Sequence, residues 1–331
     1  MPTPIIEIRH VSKRFVKSLD VAARIARRLG AGVREEVVHA VDDVSFGIDE
    51  GEVVGLVGES GCGKSTIGRM IAGILEPTRG QILYRGQDRA TMDAERFRAA
   101  ALKVQMIFQD PFASLNPRMR VADIVGEAPL IHGIIGKSEF DDYVDDVLLR
   151  CGLDPGFKRR YPHQFSGGQR QRIGIARALA VKPEFIVCDE SVAALDVSIQ
   201  AQILNLFMEL RESFNLTYLF ISHDLGVVEH LSDRVVIMYL GRMVESTLTE
   251  TLFEAPNHPY TQALLREVPR LETRRSEFQP IAGEIPSPLD PPPGCHFHPR
   301  CPHAMARCRS EVPALREIGP RWHAACHLND G

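Results

Sequence analysis

Short apolar runs alternate along this chain with longer stretches of helical spacing. Residues 5–15 alternate apolar and polar positions roughly as an edge strand, and residues 40–48 read as a second strand. After a turn at Gly51-Glu52, residues 53–57 form the continuous apolar run of a buried parallel strand. Residues 64–74 have helical spacing, and residues 81–84 and 104–108 predict further short strands. From about residue 113 to 180 the pattern is mostly helical, with breaks expected at Pro129, Gly133, Pro155 and Pro162. Strands are predicted at 185–188, 217–221 and 235–239, and helices at 197–214 and 225–231. This alternation predicts an α/β fold with a mainly parallel sheet, an antiparallel β edge and a helical subdomain over about residues 113–180.

Two stretches break the rhythm. Over residues 16–38, Val21, Ala22, Ile25 and Leu29 fall at near-helical spacing among Arg24, Arg27, Arg28 and Arg34. That predicts an exposed insertion whose basic face is either simply solvated or set against acidic lipid or a partner. After about residue 266 proline becomes dense, from Pro280 to Pro293, and a cysteine cluster follows. A first domain over residues 1–265 and a small appended domain over 266–331 are expected.

The apolar fraction of 44% suits a folded, cored protein. No run of eighteen apolar residues occurs, so no spanning helix is predicted. Met1-Pro2-Thr3-Pro4 lacks the basic and then apolar texture of a secretory signal. A net charge of −4 gives no overall electrostatic case for nucleic acid, which is not expected as a partner.

Chemistry enters at Gly58-Glu59-Ser60-Gly61-Cys62-Gly63-Lys64-Ser65-Thr66, which fits the phosphate-cradling pattern G-x-x-x-x-G-K-[ST]. The glycines let the backbone curl with its N–H groups inward, and the helix that follows favours an anion at its start. Lys64 is the candidate for the β- and γ-phosphates and Ser65 for Mg²⁺. The predicted strand before the loop and helix after it supply the context that the pattern needs. Asp189-Glu190 closes another apolar strand, which places both carboxylates at the crevice where open α/β sheets bind ligands. Asp189 is the candidate Mg²⁺ ligand, and Glu190 is left to orient or deprotonate an attacking water.

Taken together these residues resemble the ATP-binding-cassette family, over about residues 5–245. Ser166-Gly167-Gly168-Gln169, after Phe165, looks like its signature loop, which in the family covers the γ-phosphate held by a second chain. Gln109 matches the glutamine that senses Mg²⁺ and contacts the membrane partner. His223 matches the switch histidine. Ala194-Leu195-Asp196 resembles the loop that crosses to the opposite subunit, so Asp196 joins the nucleotide set. Phe15 stands where an aromatic ring stacks on adenine. Ser191 replaces the usual Pro and Ala193 the usual Ser; Glu190 and Asp196 remain, so hydrolysis at this chain's own site is still expected, while the hydroxyl missing at Ala193 is expected to weaken coupling between the two sites.

Longer stretches narrow the likeness. Residues 108–118, 160–169, 195–202 and 258–265 look like the ATPase subunits of oligopeptide and dipeptide importers, of the OppF/DppF type. The resemblance implies a peripheral ATPase at the cytoplasmic face of the membrane, working with two permease subunits, a sister ATPase and, indirectly, an extracytoplasmic substrate-binding protein. Import of nickel or another small solute, and a non-transport clamp, are the alternatives. Cys295, Cys301, Cys308 and Cys326 are separated by five, six and seventeen residues. That spacing has neither the close pairs of zinc fingers nor the common ferredoxin run. It resembles the importer C-terminal motif, which implies a [4Fe–4S] cluster. Zn²⁺, with some of His296, His298, His303, His323 and His327 as ligands, and unligated thiols stay open.

Overall fold

The computed structural model describes residues 3–17, 36–110, 112–193, 195–267, 281 and 283–330. Twelve strands and nine α-helices are placed among them. The strands are β1 (Ile6–Lys17), β2 (Glu36–Ile48), β3 (Val53–Val57), β4 (Arg79–Tyr84), β5 (Gln87–Asp88), β6 (Val104–Ile107), β7 (Phe185–Asp189), β8 (Thr217–Ser222), β9 (Arg234–Tyr239), β10 (Arg242–Leu248), β11 (Arg316–Gly319) and β12 (Trp322–Ala324). The helices are α1 (Lys64–Ile71), α2 (Ala94–Lys103), α3 (Val121–Ile131), α4 (Phe140–Arg150), α5 (Gly167–Leu179), α6 (Val197–Phe214), α7 (Leu225–Leu231), α8 (Thr249–Glu254) and α9 (Pro259–Arg266).

Two sheets organise the chain. The larger runs β11-β12-β10-β9-β3-β8-β7-β6, and the smaller runs β2-β1-β4-β5. In the larger sheet β3 pairs in parallel with both β8 and β9, and β7 with both β6 and β8. All five residues of β3 and of β7 are buried, as a strand covered on both faces requires. Helix α1 packs closely on this sheet because Gly68 has no side chain. A Cβ there would stand 2.7 Å from Ile221 Cδ1 and 2.9 Å from Val187 Cγ1. That close approach carries the start of α1 to the carboxyl ends of β7 and β8. The helical subdomain packs Val125, Val144, Leu148 and Ile173 into one core with Val53, Ile186 and Phe220 of the large sheet.

Several expectations change. The strand predicted at the edge, β1, lies inside the small sheet, hydrogen-bonded to β2 on one side and β4 on the other. Its alternation reports one covered face, which an interior strand of an antiparallel sheet also has. The supposed insertion shrinks, since Val16 pairs with Val37 and Lys17 with Glu36. Its basic core, residues 18–35, lies outside the described residues. Pro129 sits within α3 rather than ending it. It lies in the last turn, where the loss of one N–H donor removes a single helical bond.

Past residue 266 the described residues join the main body. β12 pairs with β10, extending the large sheet, and Phe297 is buried against Tyr239 and Tyr260 at ring distances of 5.2 and 5.3 Å. Glu245, fully buried on β10, accepts hydrogen bonds from Trp322 Nε1 and from the backbone N–H groups of Asn257 and His258, each at 2.9 Å.

Burial also pushes the His258 and His296 imidazoles down to about 4. In the unfolded chain both return to about 6.5. Their folded values are depressed, so the stability they contribute is present above pH ~6.5 and is lost as pH falls toward 4. Acidifying from pH 7.5 to 5 is expected to destabilise the protein by about 2 kcal/mol per histidine. His296→Asn should flatten that slope in melting curves taken across this range, and an unchanged slope would remove His296 from the account.

Candidate functional site

The loop between β3 and α1 is built for an anion. Gly63 caps α1 in a left-handed conformation, φ 105°, and a Cβ there would meet the Ala40 carbonyl oxygen, so no other residue fits without displacing β2. The Lys64 side chain is buried and its ammonium donates to the carbonyls of Gly58 at 2.6 Å and Glu59 at 3.0 Å. Ser60, Gly61, Gly63, Lys64, Ser65 and Thr66 line a cavity of about 320 Å³. Val38, Ala40, Gln109, Glu190 and Pro288 complete its wall.

The acidic side of the cavity comes from the ends of β7 and β8. Asp189 Oδ1 accepts from Ser65 Oγ at 2.7 Å. Burial pushes the Asp189 carboxyl above its ordinary value, against the hydrogen bond from Ser65. The Ser65 hydroxyl and the Asp189 carboxylate are two oxygen donors side by side, and Gln109 lines the same cavity as Ser65, a hard donor set of the kind Mg²⁺ takes, so these residues fit that ion. Glu190 has a positive φ of 46° and its N–H donates to Ile221 O. That turn directs its carboxylate at Gln109, whose Nε2 donates to Oε2 at 2.7 Å, and at His223, whose Nδ1 lies 3.5 Å from Oε1. Three side chains chosen from distant parts of the sequence therefore meet at one carboxylate.

Other candidates stand apart from the cavity wall. Phe15 is partly exposed on β1, in register with Val38, which does line the cavity. The N–H of Cys62 donates to Glu59 O at 3.2 Å, and its thiol is buried and pushed up by that burial. Cys62 is thus spent on the loop's own geometry, as is Gly58, where a Cβ would meet the Met238 carbonyl. Ser166 caps α5, where its Oγ accepts from Gln169 N at 3.3 Å and its own N–H donates to Gln169 Oε1 at 3.1 Å. Gly167 and Gly168 lie against Leu195 and Ile199, beside Asp196 at the start of α6. This small-residue helix start does not line the phosphate-loop cavity. Ala194 lies outside the described residues.

The four C-terminal cysteines line one tight cavity with His258, His298, His303, Met305 and His327. Burial, with the neighbouring thiols adding to it, pushes Cys295 up to about 11. Among the described residues no three His, Cys, Asp or Glu side chains stand in a metal-binding arrangement. His327 is committed elsewhere, with its ring nitrogens 3.0 Å from Asp330 Oδ2 and from Glu311 O.

Sequence reasoning passed over Pro288, which lines the cavity, and over the ion pair that Arg300 makes with Glu59 outside that lining. Arg300 donates to both carboxylate oxygens of Glu59, at 2.8 and 3.0 Å, from a position 241 residues away. No local pattern carries that signal.

Comparison with known proteins agrees with the geometry. Residues 41–193 match the family described as ABC transporter, and residues 244–308 match the C-terminal region of oligopeptide/dipeptide transporters. The chain is 52% identical over 329 residues to the oligopeptide transport ATP-binding protein AppF of Bacillus subtilis (strain 168), covering 98% of this chain and 97% of that protein. It is 48% identical to a putative peptide import ATP-binding protein of Brucella ovis, covering 98% of each chain. Among solved structures, the dimeric ATP-binding cassette MJ0796 bound to ADP and phosphate matches with a TM-score of 0.62 at 27% identity, over 74% of this chain and 98% of that one.

Proposed function

This chain belongs to the ABC transporter family, as an ATP-binding ATPase, and from that premise we propose that it powers the import of peptides through separate membrane subunits. The observation that carries the cargo reading is the C-terminal segment. It matches the oligopeptide/dipeptide region and packs onto the cassette's own sheet through β12. Among the described residues no helix is long and apolar enough to cross a membrane, which suits a peripheral subunit at the cytoplasmic face. The division into residues 1–265 and 266–331 is kept as two modules joined by that contact.

In this reading the loop N–H groups and Lys64 hold the triphosphate, and Phe15 offers its ring to adenine from the register position beside Val38. Mg²⁺, held by Ser65, Asp189 and Gln109, supplies neutralisation of charge on the β- and γ-phosphates. Glu190 takes the proton of the attacking water at its carboxylate, while Gln109 and His223 fix that carboxylate. By the family resemblance Ser166–Gln169 and Asp196, which do not line this chain's own cavity, act on nucleotide held by a second chain, a sister ATPase. ATP closes the pair, and hydrolysis reopens it against two permease subunits near residues 109–118. An extracytoplasmic binding protein delivers the peptide.

Co-purification from native membranes tests this. Permease subunits, a sister ATPase and stimulation of ATPase activity by peptide support the reading. Stimulation by nickel or another small solute instead, or a soluble assembly, would replace it with the importer of another cargo or with a clamp.

The four cysteines are assigned a [4Fe–4S] cluster on their resemblance to the importer C-terminal motif and on their lining of one cavity, although among the described residues no three of them stand in a metal-binding arrangement. Anaerobically purified protein is expected to be brown, with about four irons per chain. One zinc in a colourless sample makes the quartet a structural Zn²⁺ site, and no metal withdraws the assignment.

A further inference from the structure

We propose that the salt bridge between Arg300 and Glu59 masks a carboxylate built into the phosphate loop, and that through it the C-terminal segment sets this chain's affinity for ATP. The inference rests on the ATPase reading above. Glu59 is the second residue of the loop, directly after Gly58. Glu59 adjoins the cavity-lining Ser60 without lining the cavity itself, and a carboxylate beside a site for a triphosphate is a liability, because like charges repel and the interaction is strong where water is partly excluded.

The fold answers with Arg300. Its side chain is 4% exposed and grips Glu59 in a two-pronged bond, with Tyr239 Oη at 3.3 Å and the Tyr239 ring beneath the guanidinium at 5.8 Å. Burial works against the Arg300 charge, but the hydrogen bonds it donates to Glu59 and Tyr239 outweigh it and raise the guanidinium above its ordinary value. A planar bidentate fork is the geometry in which Arg holds a carboxylate most firmly.

Two further contacts reach the same place from the C-terminal side. The Glu59 N–H donates to Tyr260 Oη at 2.9 Å, and Tyr260 lies on α9, beyond the last strand of the cassette. Pro288 lines the nucleotide cavity, and its carbonyl accepts from His39 N at 3.0 Å. The side chain of Glu59 is therefore tied to Arg300 of the C-terminal segment and its N–H to Tyr260, and Glu59 does not line the cavity. Arg300 also directly precedes Cys301, so one peptide unit joins the cysteine quartet to the phosphate loop.

Charge masking makes a prediction that simple scaffolding does not. Arg300→Met leaves Glu59 unneutralised and is expected to weaken ATP binding about tenfold, or ~1.4 kcal/mol, with kcat changed less than about twofold. Adding Glu59→Gln to that variant removes the repulsion and should restore affinity to within about twofold of the unmodified protein. Glu59→Gln alone, a conservative change at a partly exposed side chain, should bind ATP no more weakly than the unmodified chain.

The measurement is ATP titration of the full chain, with KM and kcat taken alongside and melting curves as the check on folding. A double variant as weak as Arg300→Met, or a Glu59→Gln protein that loses tenfold, overturns the proposal, and the second result does so even if Arg300→Met fails to fold. ATP binding that is absent from the unmodified protein sinks the ATPase reading instead, which keeps the two failures distinct.

Discussion

Replacing Glu190 by Gln is expected to leave ATP binding within a few-fold of the original while turnover falls by a factor on the order of 10²–10⁴. The amide keeps the volume and can still satisfy Gln109, which now donates at 2.7 Å. What it loses is the charge and the basicity that a water needs at its point of attack. Binding survives because the loop N–H groups and the Lys64 side chain lie on the other wall of the cavity, and Asp189, not Glu190, contacts Ser65. The expected species is therefore a protein saturated with ATP and stalled before hydrolysis, which should also accumulate as closed pairs. Steady-state phosphate release and nucleotide titration on the same preparation separate the two quantities. Hydrolysis within about tenfold of normal would take Glu190 out of the role of base. His223 stands 3.5 Å from the carboxylate and half exposed, so its removal should cost less than the loss of Glu190.

The site was legible where the chemistry is local. Residues 58–66 occupy a few consecutive positions, and strand, loop and helix follow one another there as the apolar run of β3 and the helical spacing of α1 predict. The convergence of Gln109, Glu190 and His223 is a tertiary fact. It was reached through resemblance, because nothing in the sequence near Gln109 says that it meets residue 190. Arg300 and Pro288 were not legible at all, since they reach the loop from more than two hundred residues away. The edge strand was misplaced for a related reason. Alternation fixes which face of β1 is covered but says nothing of what hydrogen-bonds to either side. The C-terminal strands β11 and β12 are four and three residues long, too short for a periodic signal. Only the pairing of β12 with β10, and of β11 with β12, makes them strands.

Lys64→Met should abolish useful ATP binding, weakening it on the order of a hundredfold, ~2.7 kcal/mol, while leaving the fold at least as stable. The direction of the stability change follows from the surroundings of the ammonium. It is 4% exposed, and its oxygen partners are two backbone carbonyls, from Gly58 and Glu59. Neutral acceptors offset only part of the loss of water around a buried cation. An apolar side chain of the same length keeps the packing under the loop and removes that penalty. The affinity change follows from the ligand. Hydrogen bonds between charged partners are about twice as strong as neutral ones, and the triphosphate is the anion for which this cation is kept. A structural lysine predicts the reverse pattern, with a lower melting temperature and ATP affinity largely unchanged. Melting curves with and without ATP distinguish the two. The unmodified protein should gain stability in proportion to the logarithm of ATP concentration, and the variant should show no gain until roughly a hundredfold more nucleotide is present.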